Sequence, residues 1–531
     1  MQITRRHIHE HIYYYGLLLI AASLPVSVFM VNMLLILLVV NFLAACRYRE
    51  KWERIAQNRA LQVLLLFFFI HVVGLLWTEN LAFGLKLLKI KLPILIFPVV
   101  IAASPPLGMA RIRNIVHLFS LSVLLTSIIS ILKLAGLFQE EVLGYRELSP
   151  FVHHLRYAVM LVTAMLFAIY FLFFDPHPEK KIRRLMYILI LVWLPVFSLA
   201  LKSLTGILVM GSLGFLILLR VVFYIKKPAI RFLALVPLIM LPLGSLLYVN
   251  YAIEKFYSFD ELVPAELESH TAEGNPYVHK PKRREVENGH YVWIYVSDKE
   301  LEREWNRVSD ISYDGRNLQG EKMRYTIIRY LTSKGLRKDA AGFRQLTEDD
   351  IRAIEQGKAN HIYLNYFSLY PRIYEVIWEF YSYKLGYEPN GKSILQRYLY
   401  LQSGWAVASD NLLIGVGTGD ELLELGKYYE AVDSPLSMTE RRGPHNEFLS
   451  AIITLGIPGF IVFMCALVFP LFLAHRQSSY MATGFLLLIL ISMLTSGTLS
   501  SSTGASLTGL FYSLFLFGPS FPWLSNKDRE R

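Results

Sequence analysis

Apolar runs of membrane-spanning length recur from Ile12 to Ala252 and again from Phe448 to Phe517. A helix needs about 20 mostly apolar residues to cross the hydrocarbon core, and only backbone that closes its own hydrogen bonds is stable there. The chain is therefore expected to be an all-α polytopic membrane protein. Composition agrees: 54% of the 531 residues are hydrophobic and only 18% are charged, against about 45–50% and 25% in soluble domains.

The runs predict about twelve transmembrane helices. A tight pair over 12–45 turns near Ser23–Pro25–Ser27, followed by spans at 61–77, 86–103, 114–135, 151–174, 185–201, 204–223 and 232–252. Three more come at 446–473, 480–496 and 504–521. These limits divide the chain into an N-terminal membrane region (1–252), a large loop domain (253–443) and a C-terminal membrane region (444–531). The net charge of +11 raises nucleic acid as a partner, but its distribution removes the argument. The loop holds 25 Lys and Arg against 30 Asp and Glu, whereas the rest of the chain holds 28 against 12. The basic excess sits beside the spans, where it sets orientation.

Alternating sides from a cytoplasmic start places Arg5–Arg6, the run Arg47 to Arg59, Arg111–Arg113, Lys180 to Arg184, Arg220 to Arg231, Arg476 and the tail Lys527 to Arg531 inside, 21 basic residues in all. The outer connections hold few: Arg146, Lys202, and Lys86, Lys89 and Lys91 at the start of the fourth span. Both termini are thus expected in the cytoplasm and the loop outside, which in a bacterial inner membrane means the periplasm. The first apolar run has no small-residue cleavage site and reads as a retained anchor. Cys46 and Cys465 both lie outside the loop, so no disulfide framework is expected there.

Within the loop, His290–Val296 (HYVWIYV) reads as a short strand. Thr347 with Asp350 reads as a capping box opening a helix over Ile351–Gln356. Ile373, Val376, Ile377 and Phe380 are spaced i, i+3, i+4, i+7, which predicts an amphipathic helix over Tyr370 to Tyr387. Its apolar stripe either packs into the loop domain or lies on the bilayer surface. The domain is expected to be mainly α.

No phosphate-binding loop, dinucleotide fingerprint, zinc-ligand spacing or nucleophile elbow occurs, and no cofactor or metal is expected. Gly415, Gly417 and Gly419 do not follow a strand of a βαβ unit; they read as a close backbone turn beside the membrane. The adjacent His153 and His154 are a weak metal pair, because neighbouring residues on a helix point apart.

The end of the loop reads Gln396–Arg397, Trp405, LIGVGTGD at 413–420, Ser434–Pro435–Leu436, then HNEFLSAIITLGIPG from His445. With Phe151–His154–Leu155–Arg156–Tyr157–Ala158 and the spans around Ser203–Gly206, this pattern resembles the O-antigen ligase and polymerase superfamily, in particular its Bacteroidetes-type members. Those carry an Arg and an aromatic before a G-V-G-x-G turn, then a His-Asn pair opening a span. The resemblance implies an all-helical fold similar to the GT-C glycosyltransferases. It also implies transfer of a glycan from undecaprenyl pyrophosphate to an acceptor hydroxyl, with no nucleotide or required metal. Lipid A-core, a growing glycan or a protein are the acceptors it allows; ligation ranks before polymerisation. The chain departs from the family where Ser-Arg-(Thr)-Gly is usual, having Ser203–Leu204–Thr205–Gly206, with Lys202 the nearest cation.

The residues suit that chemistry. A lipid pyrophosphate leaving group gains negative charge as the glycosidic bond breaks, and fixed cations stabilise it, Arg by bidentate contact. Arg397, Arg156, Lys86, Lys89, Lys202 and Arg441 are the candidate donor-binding cations, and His445 is the candidate base. Asn446 joins the glycines as part of the turn near the site. Each has a plainer reading. Arg397 could pair with loop carboxylates, Arg156 could anchor a span by snorkelling, Arg441 could simply be solvated, and His445 could cap a helix. A transporter would instead show buried mid-membrane charges and matching broken helices. A membrane sensor would show a cytoplasmic output domain, and the cytoplasmic segments are short.

Overall fold

Each of the apolar runs is helical. The computed structural model describes residues 2–134, 149, 151–177, 179–201, 204–365, 368–474, 479–519 and 521. Met1–Val221 with Arg397–Arg531 form one compact unit, and Val222–Gln396 form a second.

The first unit begins with α1 (Gln2–Ser23) and α2 (Val28–Ala44), then α3 (Tyr48–Gln57), α4 (Arg59–Val73), α5 (Leu81–Ala103), α6 (Met109–Leu134), α7 (His154–Ile169, continued by a π-helical turn over Tyr170–Phe174), α8 (Lys181–Ala200) and α9 (Leu204–Tyr224). The second unit holds α10 (Pro228–Phe256), α11 (Asp298–Trp305), α12 (Met323–Ser333), α13 (Ala340–Phe343), α14 (Glu348–Glu355) and α15 (Tyr370–Lys384). From α16 (Ser393–Asp410) the chain returns to the first unit with α17 (Glu421–Ala431), α18 (Glu447–Ala474), α19 (Tyr480–Thr495) and α20 (Ser502–Phe517).

Among the described residues, six helices (α6 to α10, with the extended α7, and α18) are long and apolar enough to cross a membrane, and a seventh span results if the bent pair α2–α3 is one. The shorter apolar helices α4, α19 and α20 coincide with three more of the expected runs. The protein is a multi-pass membrane protein. Tyr157 to Ala168 of α7 and Gly504 to Leu516 of α20 are buried on every side, as expected of helices at the centre of a bundle.

α18 is broken within its span, and the break explains two sequence motifs together. Gly456 stands at φ +67°, ψ −178°, a region open essentially to glycine alone and costing other residues about 1–3 kcal/mol. Pro458 has no N–H to give the Thr454 carbonyl. The glycine-rich turn repairs the ladder: Gly417 N donates to Thr454 O (3.0 Å), Val416 N to Ile453 O (2.8 Å), and Ile457 N to Leu412 O (2.7 Å). On its other side the same turn grips the α4–α5 connection. Thr418 donates to Gly74 O through N and to His71 O through Oγ1, and the Asp420 carboxylate accepts from Glu79 N and Asn80 N, both at 2.7 Å.

In the second unit, Trp305, Ile327, Ile328, Leu331 and Ile354 form a core around α12. The Thr347–Asp350 capping box is present and opens α14. The strand expected over His290–Val296 is a correction. Only His290–Tyr291 forms a strand, β2, which pairs antiparallel with β1 (Val286–Glu287), while Val296 makes isolated bridges to Val278 and Lys338. Val292 and Trp293 are both buried, which two consecutive residues of a half-buried strand cannot be, and Tyr295 turns the chain at φ +53°.

The expected amphipathic helix is α15, and it packs against α10: Tyr374 and Tyr381 lie 5.0 and 5.5 Å from the Phe256 ring. Its buried face is rotated from the apolar stripe, with Tyr374, Glu379 and Ser382 buried and Ile373, Val376, Ile377 and Phe380 only half-buried. Glu379 explains the rotation, since its carboxylate accepts the Ile394 and Leu395 N–H groups at 2.9 and 3.0 Å.

Candidate functional site

One face of α16 and the entry to α18 build the site. Arg397, Tyr400 and Gly404 recur at i, i+3 and i+7, so they share that face. The segment before α18 lies along it. Tyr400 Oη donates to Glu440 O (2.6 Å), and Gly404 leaves no room for a Cβ beside Pro444 and Leu449. Asn446 then caps α18 by accepting from Leu449 N (3.0 Å) and ties it to the end of α19 by donating to Leu494 O (3.2 Å).

Between Pro444 and that cap, His445 sits at φ +52°, in a region His visits more readily than branched residues. Its ring lies 5.5 Å from Tyr400. Burial, then the positive charges of Arg397, Arg442, Arg156 and His153, push the His445 pKa down to about 4. The imidazole is therefore neutral at pH 7 and surrounded by cations from α7, α16 and the loop before α18.

Arg156 is held by two of its three nitrogens: Nε donates to Ser501 Oγ (2.6 Å) and Nη2 to Gly497 O (2.9 Å). Its Nη1 is buried with no hydrogen-bond partner among the described residues. The turn at 497–501 also carries a buried ion pair. Glu447 accepts from Leu499 N, Ser500 N and Ser500 Oγ, and pairs with Lys91 Nζ at 3.2 Å. Lys91 and Glu447 are 4% and 2% exposed, so neither charge is screened by water. Glu421, at the start of α17, accepts from Ser450 Oγ (2.6 Å) and lies against Gly443; burial raises its pKa.

The structure thus brings Arg397 and Arg156 to His445 and leaves others elsewhere. Lys86 and Lys89 are exposed on α5, Lys86 reaching over the Phe83 ring of its own helix. It is Lys91, five residues after Lys86 and two after Lys89 and so on another side of α5, that turns inward. Arg441 donates to Leu436 O (3.2 Å) and stands over Tyr429; the charge reaching His445 is that of Arg442. Trp405 is 59% exposed, and the aromatic at His445 is Tyr400.

His153 and His154 do not point apart: their rings are 4.3 Å apart, because His153 caps α7 from outside the helix. Among the described residues no group of three His, Cys, Asp or Glu could hold a metal ion. Lys202, Ser203, Arg146, Arg476 and the tail Lys527 to Arg531 lie outside the described residues.

Sequence pattern did not single out Tyr400 or the Lys91–Glu447 pair. The signal for the pair was present, since a lysine inside an apolar run needs a partner and Glu447 opens another run.

No curated protein matches the chain. The family described as O-antigen ligase matches residues 359–464, from before α15 to the middle of α18. That range contains Arg397, the glycine-rich turn and His445. Over those residues, which supply His445 and Arg397 but not Arg156 or Lys91, the chain is similar to the O-antigen ligase family.

Proposed function

We propose that the chain transfers a glycan from undecaprenyl pyrophosphate to an acceptor hydroxyl on the periplasmic face of a bacterial inner membrane, as an O-antigen ligase does. The observation that carries this reading is His445 beside Arg397 and Arg442 within the matched segment, with Arg156 of α7 adding a third positive charge from outside it. The guanidinium groups would take the pyrophosphate, Arg156 through its unused Nη1. The acceptor oxygen attacks the anomeric carbon as His445 takes its proton. The bond from that carbon to the phosphate oxygen breaks, and the electron pair leaves with the lipid pyrophosphate. The arginines stabilise the charge that develops there. Lipid A-core is the first acceptor to offer; a glycan or protein acceptor gives the related reactions.

The test is transfer by the purified protein in vesicles holding a lipid-linked glycan and an acceptor, with EDTA present. The reading predicts glycan on the acceptor and one undecaprenyl pyrophosphate released for each transfer. Loss of activity in EDTA, restored by Mg²⁺ or Mn²⁺, would show that a metal carries the pyrophosphate charge instead. Failure to consume the donor with any acceptor would remove the proposal.

A further inference from the structure

Between α2 and α4 the chain makes a turn that the transfer reaction does not use. Cys46 and Arg47 both adopt left-handed backbone, at φ +52° and +59°, and α3 leaves α2 at 110°. Where α2 crosses the bilayer, α3 must therefore run nearly along its surface.

One side of α3 is pinned to the bundle. Lys51 Nζ donates to Phe42 O and lies 4.2 Å from the Phe42 ring, and Arg54 Nη1 donates to Ala103 O (3.3 Å). Tyr48, Trp52 and Ile55, at i, i+4 and i+7, form a separate stripe. Tyr48 is 60% and Trp52 70% exposed, although aromatic side chains of this size are usually covered. The stripe continues the exposed apolar face of α2 at Val40 and Leu43, and Tyr48 Oη bonds Leu43 O (2.9 Å). Residues 47–59 carry five Lys and Arg against two Glu, a net excess of positive charge; Arg47 and Arg49 pair with Glu50 and Glu53, yet the Arg49 side chain remains almost fully exposed beside the stripe.

We infer that α3 is an interfacial helix that seats its Tyr48–Trp52 stripe in an anionic phospholipid leaflet, with Arg47 and Arg49 at the headgroups. Three features favour lipid over a second protein: the angle to α2, the unbroken apolar surface shared with it, and the positive charge. Aromatic side chains with one apolar and one polar end settle at this depth, and basic residues beside them draw acidic lipids. The arrangement fixes the height of α2, α4 and α5 in the bilayer, because Lys51 and Arg54 tie α3 to the ends of α2 and α5.

The test uses the full-length wild-type protein in phosphatidylcholine vesicles containing a phosphatidylglycerol probe with its photoreactive group just below the headgroup. After illumination, lipid adducts are expected on Tyr48 or Trp52. A phosphatidylcholine probe of the same design should give a lower yield on 48–57 relative to the α2 peptide. Adducts on α2 with none on 48–57, or cross-links from 48–57 to protein, would overturn the inference; equal yields from both probes would overturn its preference for anionic lipid. As a second measurement, the fluorescence lost in Trp52→Phe should be blue-shifted and shielded from aqueous iodide. A water-like, iodide-quenched difference spectrum would contradict the placement.

Discussion

If His445 takes the acceptor proton and Arg397 holds the donor, as proposed, their variants should fail differently. Arg397→Lys keeps the charge and loses the planar fork, and should weaken donor binding less than Arg397→Ala does. Equal binding by both variants and the wild type would place the pyrophosphate elsewhere. The depressed His445 pKa gives a sharper test. A base works only when unprotonated, so activity should hold above its pKa and fall below it. For the free protein that limb belongs near pH 4. A bound pyrophosphate offsets the charges of Arg397, Arg442 and Arg156, which lifts the pKa. The acid limb of kcat should therefore lie at higher pH than that of kcat/KM for the donor. Coincident limbs would mean that the donor phosphates do not sit beside the histidine.

Among the elements, α18 and the turn at 415–420 form one unit of structure. A Cβ on Gly415 would come within 2.5 Å of the Gly456 and Leu455 backbone nitrogens, at a residue already at φ +75°. Gly415→Ala should lower the unfolding temperature in detergent, costing more than the roughly 1–2 kcal/mol of left-handed strain alone; an unchanged Tm would refute the repair described for the broken helix. The Lys91–Glu447 pair gives a second case. Lys91→Met leaves a buried carboxylate alone and should cost about 3–5 kcal/mol, whereas Lys91→Met with Glu447→Gln should recover part of the loss. Additive losses would show that the two charges do not depend on each other.

At this scale the sequence was legible where pattern is local. Apolar length marked the helices, Thr347 with Asp350 marked α14, and Ser23–Pro25–Ser27 marked the α1–α2 turn. It was not legible where the cause is distant in the chain. Nothing near Pro458 says that its missing hydrogen bond is supplied from Gly417, and nothing near Lys86 says that Lys91 is the lysine that faces Glu447.

For the whole molecule, the basic segments predict which side each connection faces, and reporters can read this directly. Fusions at Gly315 or Gly391 should report the periplasm and fusions at Lys180 or Lys226 the cytoplasm. A cytoplasmic signal from the 253–443 loop would cut the site off from an outward-facing lipid donor. That the chain from Arg397 onward folds with the N-terminal helices was not legible, because the Tyr400, Gly404 and Gly417 contacts join residues with no shared local pattern.

In the proposed mechanism His445 takes the acceptor proton, and a single-turnover transfer assay on vesicles loaded with the lipid-linked glycan measures that step. His445→Ala, with His445→Asn as a control that tolerates the same backbone conformation, should slow transfer by roughly 10²–10⁴-fold while both variants bind the donor as the wild type does. Near-normal transfer by either variant, inserted and accumulated at wild-type level, would make the histidine a structural cap of α18 and contradict the mechanism.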